Sequence, residues 1–289
     1  MSLPAFPRFE PIVLDMRAVV HPLLAKTPDG VSEYTFSNLY LFRHRYDYRI
    51  SIVNEKIPII SGRHGTETFF MTPYSAPRCG TLMELFETYD YWKCIPDSVL
   101  FRCRACLECH GIDISEDRNN FDYLYLRTNL ATLPGKKYHK KRNLVKGFEN
   151  SYRCEQKPLT PTSVPDALEV LEQWRTDKEI DGDYAAAREA LELLETLQMR
   201  GAVYYIDGEP VAWCLGEELA RGKMFAIHFE KALERYRGLY QFVNRSFSAS
   251  LPGNYRFINR EQDLGDEGLR QAKMSYRPSG FVRKYRGHV

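Results

Sequence analysis

No run of about 18 uninterrupted apolar residues occurs anywhere in the chain, which excludes an ordinary transmembrane helix. The amino terminus, Met1-Ser-Leu-Pro-Ala-Phe-Pro-Arg8, lacks a basic stretch followed by an apolar one. No secretory leader is therefore expected, and a cytoplasmic location follows. Strong charge of one sign is missing too: 40 Lys and Arg against 38 Asp and Glu leave a formal net charge of +2. No global field demands a nucleic acid or an anionic membrane, so any such partner must be held by local clusters. Seven cysteines are an odd number in a 289-residue chain too large to need staples. In a reducing compartment they are expected to be mostly free thiols. What is present is ample core material, 44% hydrophobic residues with 16 Phe and 19 Tyr, in a length that suits two α/β units better than one.

The order of patterns supports two units. Tyr48 to Val53, a turn at Asn54-Glu-Lys56, Ile57 to Ile60, and a third strand near Thr68 to Met71 read as a three-stranded meander. The pattern returns with Ala202 to Ile206, the turn Asp207-Gly208, Val211 to Leu215, a turn at 220–223, and Met224 to Phe229. A helical candidate precedes each, 36–45 and 184–199; in the second, Tyr184, Ala187, Leu191, Leu194 and Leu197 recur at helical spacing. The seam is expected in Lys157-Pro-Leu-Thr-Pro-Thr-Ser-Val-Pro165, whose prolines and small polar residues suit a connector, giving units 1–156 and 157–289.

Three constellations could carry chemistry. Cys103-Arg-Ala-Cys106-Leu-Glu-Cys109-His110 contains a haem-attachment spacing and most of an iron–sulfur run. The first wants export, and the second wants a further Cys nearer than Cys154. Val99, Leu100, Cys103, Cys106, Leu107 and His110 instead follow a helical stripe, so no metal is expected there. The densest positive charge is Lys136, Lys137, Lys140, Lys141 and Arg142, extended by Lys146, placed after Gly135 at a helix start. Cations there oppose the helix dipole, which points to an anionic ligand such as phosphate or an RNA backbone; the alternative is a solvated surface helix. The third lies at two strand-to-helix junctions. Met224 to Lys231 leads into Arg235-Tyr-Arg237-Gly238-Leu-Tyr240-Gln241, and Tyr255 to Asn259 leads into Arg260-Glu-Gln-Asp263. A helix amino terminus with Gly and Arg can hold an anion through backbone N–H groups, Glu230 at a strand end can accept a proton, and adjacent strand ends share one cleft.

The combination of Lys136 to Asn143, Arg237-Gly-Leu-Tyr-Gln241, Asn259-Arg-Glu-Gln-Asp-Leu-Gly265 and Gly268-Leu-Arg-Gln-Ala-Lys273 resembles a bacterial family related to the C-terminal domain of phosphatidylglycerol lysyltransferases. The resemblance spans nearly the whole chain. It implies an α/β fold (α+β) of two tandem GNAT-like domains, each a mixed sheet flanked by helices, the second carrying the donor cleft. GNAT enzymes bind the acyl-CoA pyrophosphate at Arg/Gln-x-x-Gly-x-Gly/Ala; here Arg235 and Gly238 match, while Tyr240 replaces the final small residue. More distant similarity to Fem-type aminoacyltransferases makes Lys273 a candidate to stabilise an oxyanion. The resemblance thus implies an acyl- or aminoacyl-transferase. Its donor would be acyl-CoA on Arg235, Arg237, Gly238, Tyr240 and Gln241, or aminoacyl-tRNA on Lys136 to Arg142. Glu230 or Asp263 would deprotonate an amine or hydroxyl acceptor such as a lipid headgroup or peptide, with no tightly bound cofactor. The alternative is a non-catalytic protein of the same fold that binds an anionic metabolite or RNA.

Overall fold

The computed structural model describes residues 2–178 and 182–289. Its first part comprises β1 (Glu10–Pro11), α1 (Arg17–Leu24), α2 (Phe36–Leu41), α3 (Arg43–Tyr46), β2 (Arg49–Val53), β3 (Ile57–His64), β4 (Glu67–Met71), α4 (Cys79–Thr88), β5 (Tyr91–Pro96), α5 (Asp97–Cys109) and β6 (Asp113–Glu116). The chain continues through β7 (Asp122–Leu126), α6 (Arg127–Thr132), α7 (His139–Ser151), β8 (Cys154–Pro158), α8 (Val164–Lys178), α9 (Tyr184–Glu192) and α10 (Leu194–Leu197). It ends in β9 (Arg200–Ile206), β10 (Glu209–Leu219), β11 (Met224–Ala232), α11 (Leu239–Ser250), β12 (Phe257–Asn259), α12 (Glu267–Met274), β13 (Gly280–Val282) and β14 (Lys284–His288).

Both expected meanders are present, as β2-β3-β4 and β9-β10-β11, each antiparallel throughout. The second turns at Asp207 and Gly208, both with positive φ (52° and 89°), the conformation that a two-residue hairpin loop requires. After each meander a helix, α4 or α11, returns the chain to add a parallel strand, β5 beside β4 and β12 beside β11. Local pattern explains the covering. The central strand β10 is buried almost end to end, and α8 lays Ala167, Val170, Leu171 and Trp174, a helical stripe, into the core.

The two seven-stranded sheets have matching orders: β1-β2-β3-β4-β5-β14-β6 and, read the same way, β8-β9-β10-β11-β12-β7-β13. The architecture is therefore the expected tandem of two similarly built units, each a mixed sheet flanked by helices, but the sixth place in each sheet is filled from the other half of the chain. The expected units 1–156 and 157–289 do not coincide with the sheets. β7 precedes the proline-rich connector yet pairs with β12 and β13, and β14 follows it yet pairs with β5 and β6. The chain crosses between the sheets at 117–121 and at Arg283, and Asp117 N–H donates to the Lys284 carbonyl (2.9 Å) where the passages meet. One apolar core runs from Val20, Phe36 and Ile50 to Trp213, Phe225 and Ile258, so the two units share their interior. A separate core, including Phe70, Trp92, Val99 and Leu107, seats α5 on the outer face of the first sheet.

Candidate functional site at the splayed strands

β11 and β12 pair only from Met224↔Phe257 to Ala226↔Asn259; β12 then stops while β11 runs on to Ala232. Parallel strands that part in this way expose backbone and side chains to a shared notch at their carboxyl ends. Here side chains bridge it. Arg260 Nη2 donates to Glu230 Oε1 (2.9 Å), and His228 Nδ1 meets Glu261 Oε1 (2.6 Å). His228 Nε2 lies 3.0 Å from Glu217 Oε1. Burial alone would lower the imidazole pKa, but its two carboxylate partners outweigh that and push it up to about 10. At neutral pH the group is an imidazolium between two carboxylates. Over the notch, the Tyr276 ring carries Lys141 Nζ at 4.1 Å and Arg260 Cζ at 5.6 Å, so the basic helix α7 reaches the splayed strands. Burial, then Arg260, lowers the Lys141 pKa.

The expected site residues fall into distinct surroundings. Glu230 lies in the notch, and its second oxygen, Oε2, is buried without a hydrogen-bond partner among the described residues. Lys273 Nζ donates to the carbonyls of Arg260 (2.6 Å) and Gln262 (2.5 Å), and burial pulls its pKa down to about 8. Tyr240 is half-buried, its hydroxyl pKa raised to about 12 by burial, and Gln241 lies against the Tyr276 hydroxyl. Asp263 is corrected by the structure. Its fully buried carboxylate accepts from Tyr123 Oη (2.6 Å), Arg270 Nε and Nη2 (3.0 and 2.9 Å) and Gly265 N–H (2.9 Å). Burial favours its protonation, but these donors overcome it and hold the pKa far below the usual carboxylate range. A carboxylate so held anchors the loop after β12 and is no proton acceptor at neutral pH.

The role expected of Gly238 also changes. Its φ of 94° fits the turn before α11, but a Cβ there would lie 2.5 Å from the Leu144 carbonyl oxygen. The glycine permits close packing of α7, whose Leu144 carbonyl lies against where a Cβ would be. Arg235 reaches out to Gln173 Oε1 (3.1 Å), and Arg237 is exposed. The basic cluster does open a helix, Lys136 and Lys137 in a 3-10 turn and Lys140 to Arg142 in α7. Lys136, Lys137 and Lys140 face solvent, whereas Arg142 donates to the carbonyls of Leu133 and Gly135 and ties down the end of α6.

Behind the notch runs a buried polar spine that sequence reasoning missed. Fully buried Lys284, the first residue of β14, donates to Asp122 Oδ1 (2.7 Å), the first residue of β7, and to Glu33. Burial works against its charge, but the two carboxylates raise its pKa above the ordinary value. Asn259 Nδ2 donates to Asp122 Oδ2 (3.0 Å) and its Oδ1 accepts from Glu261 N–H (2.7 Å), which leads back to His228 and Glu217. No spacing could have signalled partners that lie 162 and 251 residues apart.

The sequence profile described as phosphatidylglycerol lysyltransferase, C-terminal, matches residues 24–287. The chain belongs to that family. A conserved protein of unknown function from Bacteroides thetaiotaomicron has a crystal structure similar to this family member, with 30% identity, coverage of 97% of this chain and 99% of that one, and a TM-score of 0.85. The L-PGS structure from Bacillus licheniformis shares the fold at 16% identity and a TM-score of 0.64, covering 96% and 92% of the two chains. An uncharacterized protein, MYCGA3080, of Mycoplasmoides gallisepticum is 28% identical over 182 residues, 60% of this chain and 56% of its own length. The alignment thus spans little more than half of that relative.

In this lysyltransferase-family chain the spine ends in a second feature, a cavity of 630 Å³ lined by Arg17 and His21 of α1, Arg200, Glu217 and Arg221, with Leu194 and Met199 among its apolar walls. It sits where β9 begins and β10 ends, away from α11. Burial and then Arg17 lower the His21 pKa, with Glu217 opposing, which favours a neutral imidazole. Charges of both signs beside apolar walls suit a small molecule carrying both signs of charge. Among the described residues no helix is long and apolar enough to cross a membrane.

Proposed function

We propose that this chain transfers an aminoacyl group from aminoacyl-tRNA to an amine or hydroxyl acceptor. The family relationship supports a transferase; the observation that carries the choice of donor is the filled notch. Acyl-CoA would thread its arm between the splayed strands, but Arg260–Glu230 and His228–Glu261 bridge that gap, and Leu144 closes on Gly238. Beside it stand three solvent-facing lysines, Lys136, Lys137 and Lys140, suited to the phosphates of an RNA end. The acceptor atom would bond to the aminoacyl carbonyl carbon as the ester bond to the terminal ribose breaks. Glu230 would take the acceptor proton on Oε2, which has no partner among the described residues, and return it to the departing ribose oxygen. Lys273 has two carbonyl partners and keeps a third N–H for the oxyanion.

A thermal-shift series with acetyl-CoA, a long-chain acyl-CoA and lysyl-tRNA separates the donors, because a ligand of the native state raises the midpoint. Stabilisation by lysyl-tRNA, with deacylation accelerated by phosphatidylglycerol vesicles as the first acceptor tried, is the expected result. A K136E/K137E/K140E variant should lower the slope of log affinity against log salt by about 2 to 3. Stabilisation by acyl-CoA alone would overturn the donor assignment. Binding of tRNA without turnover under any acceptor would favour the non-catalytic alternative.

A further inference from the structure

The helix α5 sorts the cysteine run by face. Cys103 points inward, buried, with its Sγ 3.1 Å from the Val99 carbonyl, and Cys109 is exposed. Cys106 and His110, one turn apart, share a third face, with His110 Nδ1 3.9 Å from Cys106 Sγ. No partner for that face is legible in the run itself. The fold supplies one in Cys79, the first residue of α4, which the structure joins to Cys106 as a disulfide with a Cα–Cα separation of 6.2 Å. The other five cysteines are free. One ligand atom from each of Cys79, Cys106 and His110 lies within 4.8 Å of the others.

We propose that Cys79, Cys106 and His110 form a site for a zinc-class divalent cation when the disulfide is reduced. Two thiolates and an imidazole are the donor set such a cation prefers, and about 2.3 Å to sulfur and 2.0–2.1 Å to nitrogen require ligand atoms about 3.6–3.8 Å apart. Opening the disulfide lets the two sulfurs part toward that spacing, and His110 Nδ1 already lies 3.9 Å from Cys106 Sγ. Cys79 and Cys106 are half-buried and His110 is exposed, so the ion enters from solvent and water fills the fourth position. Metal and disulfide exclude one another. A dithiol supplies two electrons and two protons to give two thiols, or a phosphine supplies the two electrons and is oxidised to its oxide while water supplies the oxygen and both protons; binding one M²⁺ to both thiols as thiolates then releases two protons. The cation would replace the disulfide as the tie between α4 and α5, on the outer face of the first sheet and away from the transfer notch.

The test uses the full chain, reduced with a phosphine, stripped with a chelator, and titrated with Co²⁺ as the probe. One equivalent should produce a thiolate-to-cobalt charge-transfer band and tetrahedral ligand-field bands, both removed by Zn²⁺. C79S and C106S should abolish the spectrum, and H110A, at an exposed position that leaves the core intact, should weaken Co²⁺ binding more than tenfold. C103S and C109S should change it little. The oxidised chain should bind none and recover one equivalent after reduction. A reduced chain that gives no band, a band that survives C79S, or a band lost with C109S while H110A retains it would overturn the assignment.

Discussion

Replacing Lys284 with Met tests whether the two exchanged strands are locked by charge. Lys284 is 0% exposed and neutralises Asp122 at 0% and Glu33 at 4%. Met keeps most of the aliphatic volume but removes the ammonium and leaves two buried carboxyl groups facing each other, so the loss is electrostatic rather than a cavity. Breaking a buried ion pair from one side costs about 3–5 kcal/mol. The pH dependence identifies the cause. In the parent, Lys284 overcomes the burial penalty and lowers the Glu33 pKa, so that contribution is present above the unfolded carboxyl value of about 4.3 and is lost as pH falls through the folded one. In K284M, burial without the cation raises the carboxyl pKa values, so stability is highest in mild acid and falls as pH rises from the unfolded toward the folded value. Urea unfolding of both proteins from pH 4 to pH 8 should therefore show the deficit growing with pH, and D122N/K284M should recover part of it through a coupling of about 0.5–3 kcal/mol. A K284M deficit below 1 kcal/mol at pH 7.5, or one that shrinks as pH rises, would refute the reasoning.

Gly238→Ala should destabilise by about 2 kcal/mol or more, since it adds the Leu144 contact to an unfavourable positive φ; a thermal midpoint equal to the parent's would show that α7 yields freely. The His228 pKa of about 10 against an unfolded value near 6.5 means that its contribution is complete below about pH 6.5 and disappears as pH rises through 10. H228Q should therefore flatten the alkaline decline of the unfolding midpoint between pH 7 and pH 10, and an unchanged decline would assign it elsewhere. Asp263→Asn should cost about 2–3 kcal/mol at pH 7 by turning an amide toward Arg270, with the deficit beginning to narrow below the unfolded carboxyl value of about 3.9, where Asp263 protonates first in the unfolded parent; chemical denaturation at pH 7 and pH 3 reads both.

Local chemistry made the meanders legible. Alternating apolar residues around Asp207-Gly208 can fold in few other ways, and the stripe through α8 and α9 marks its own buried face. Strand destination was not legible in the same way. β7 has five residues and β13 three, too short for their composition to favour either sheet, and only long-range pairing decides between them. The connector at 157–165 has the composition of a seam but enters the second sheet through β8, while the actual crossings carry no comparable mark. Asp122 and Lys284 read as ordinary charges at strand starts. Only the crossing brings them together and removes them from water, and that requirement is not contained in either segment.

The same distinction explains the candidate site. Glycine and arginine at the β11–α11 junction predict an anion cradle because a helix amino terminus offers free N–H groups, which is a local argument. It does not foresee that a helix more than 90 residues earlier in the chain sets its Leu144 carbonyl against Gly238. The donor question therefore turns on a contact between α7 and α11 rather than on the motif itself. That contact also brings Lys141 over the Tyr276 ring that Arg260 shares, a cationic rim beside the notch. If the α7–α11 contact decides donor choice, Leu144→Ala should leave acyl-CoA binding absent, since the obstructing carbonyl belongs to the backbone and persists. A new acyl-CoA-dependent thermal shift in L144A would show that side-chain bulk was the barrier and would reopen the cleft to an acyl-CoA donor.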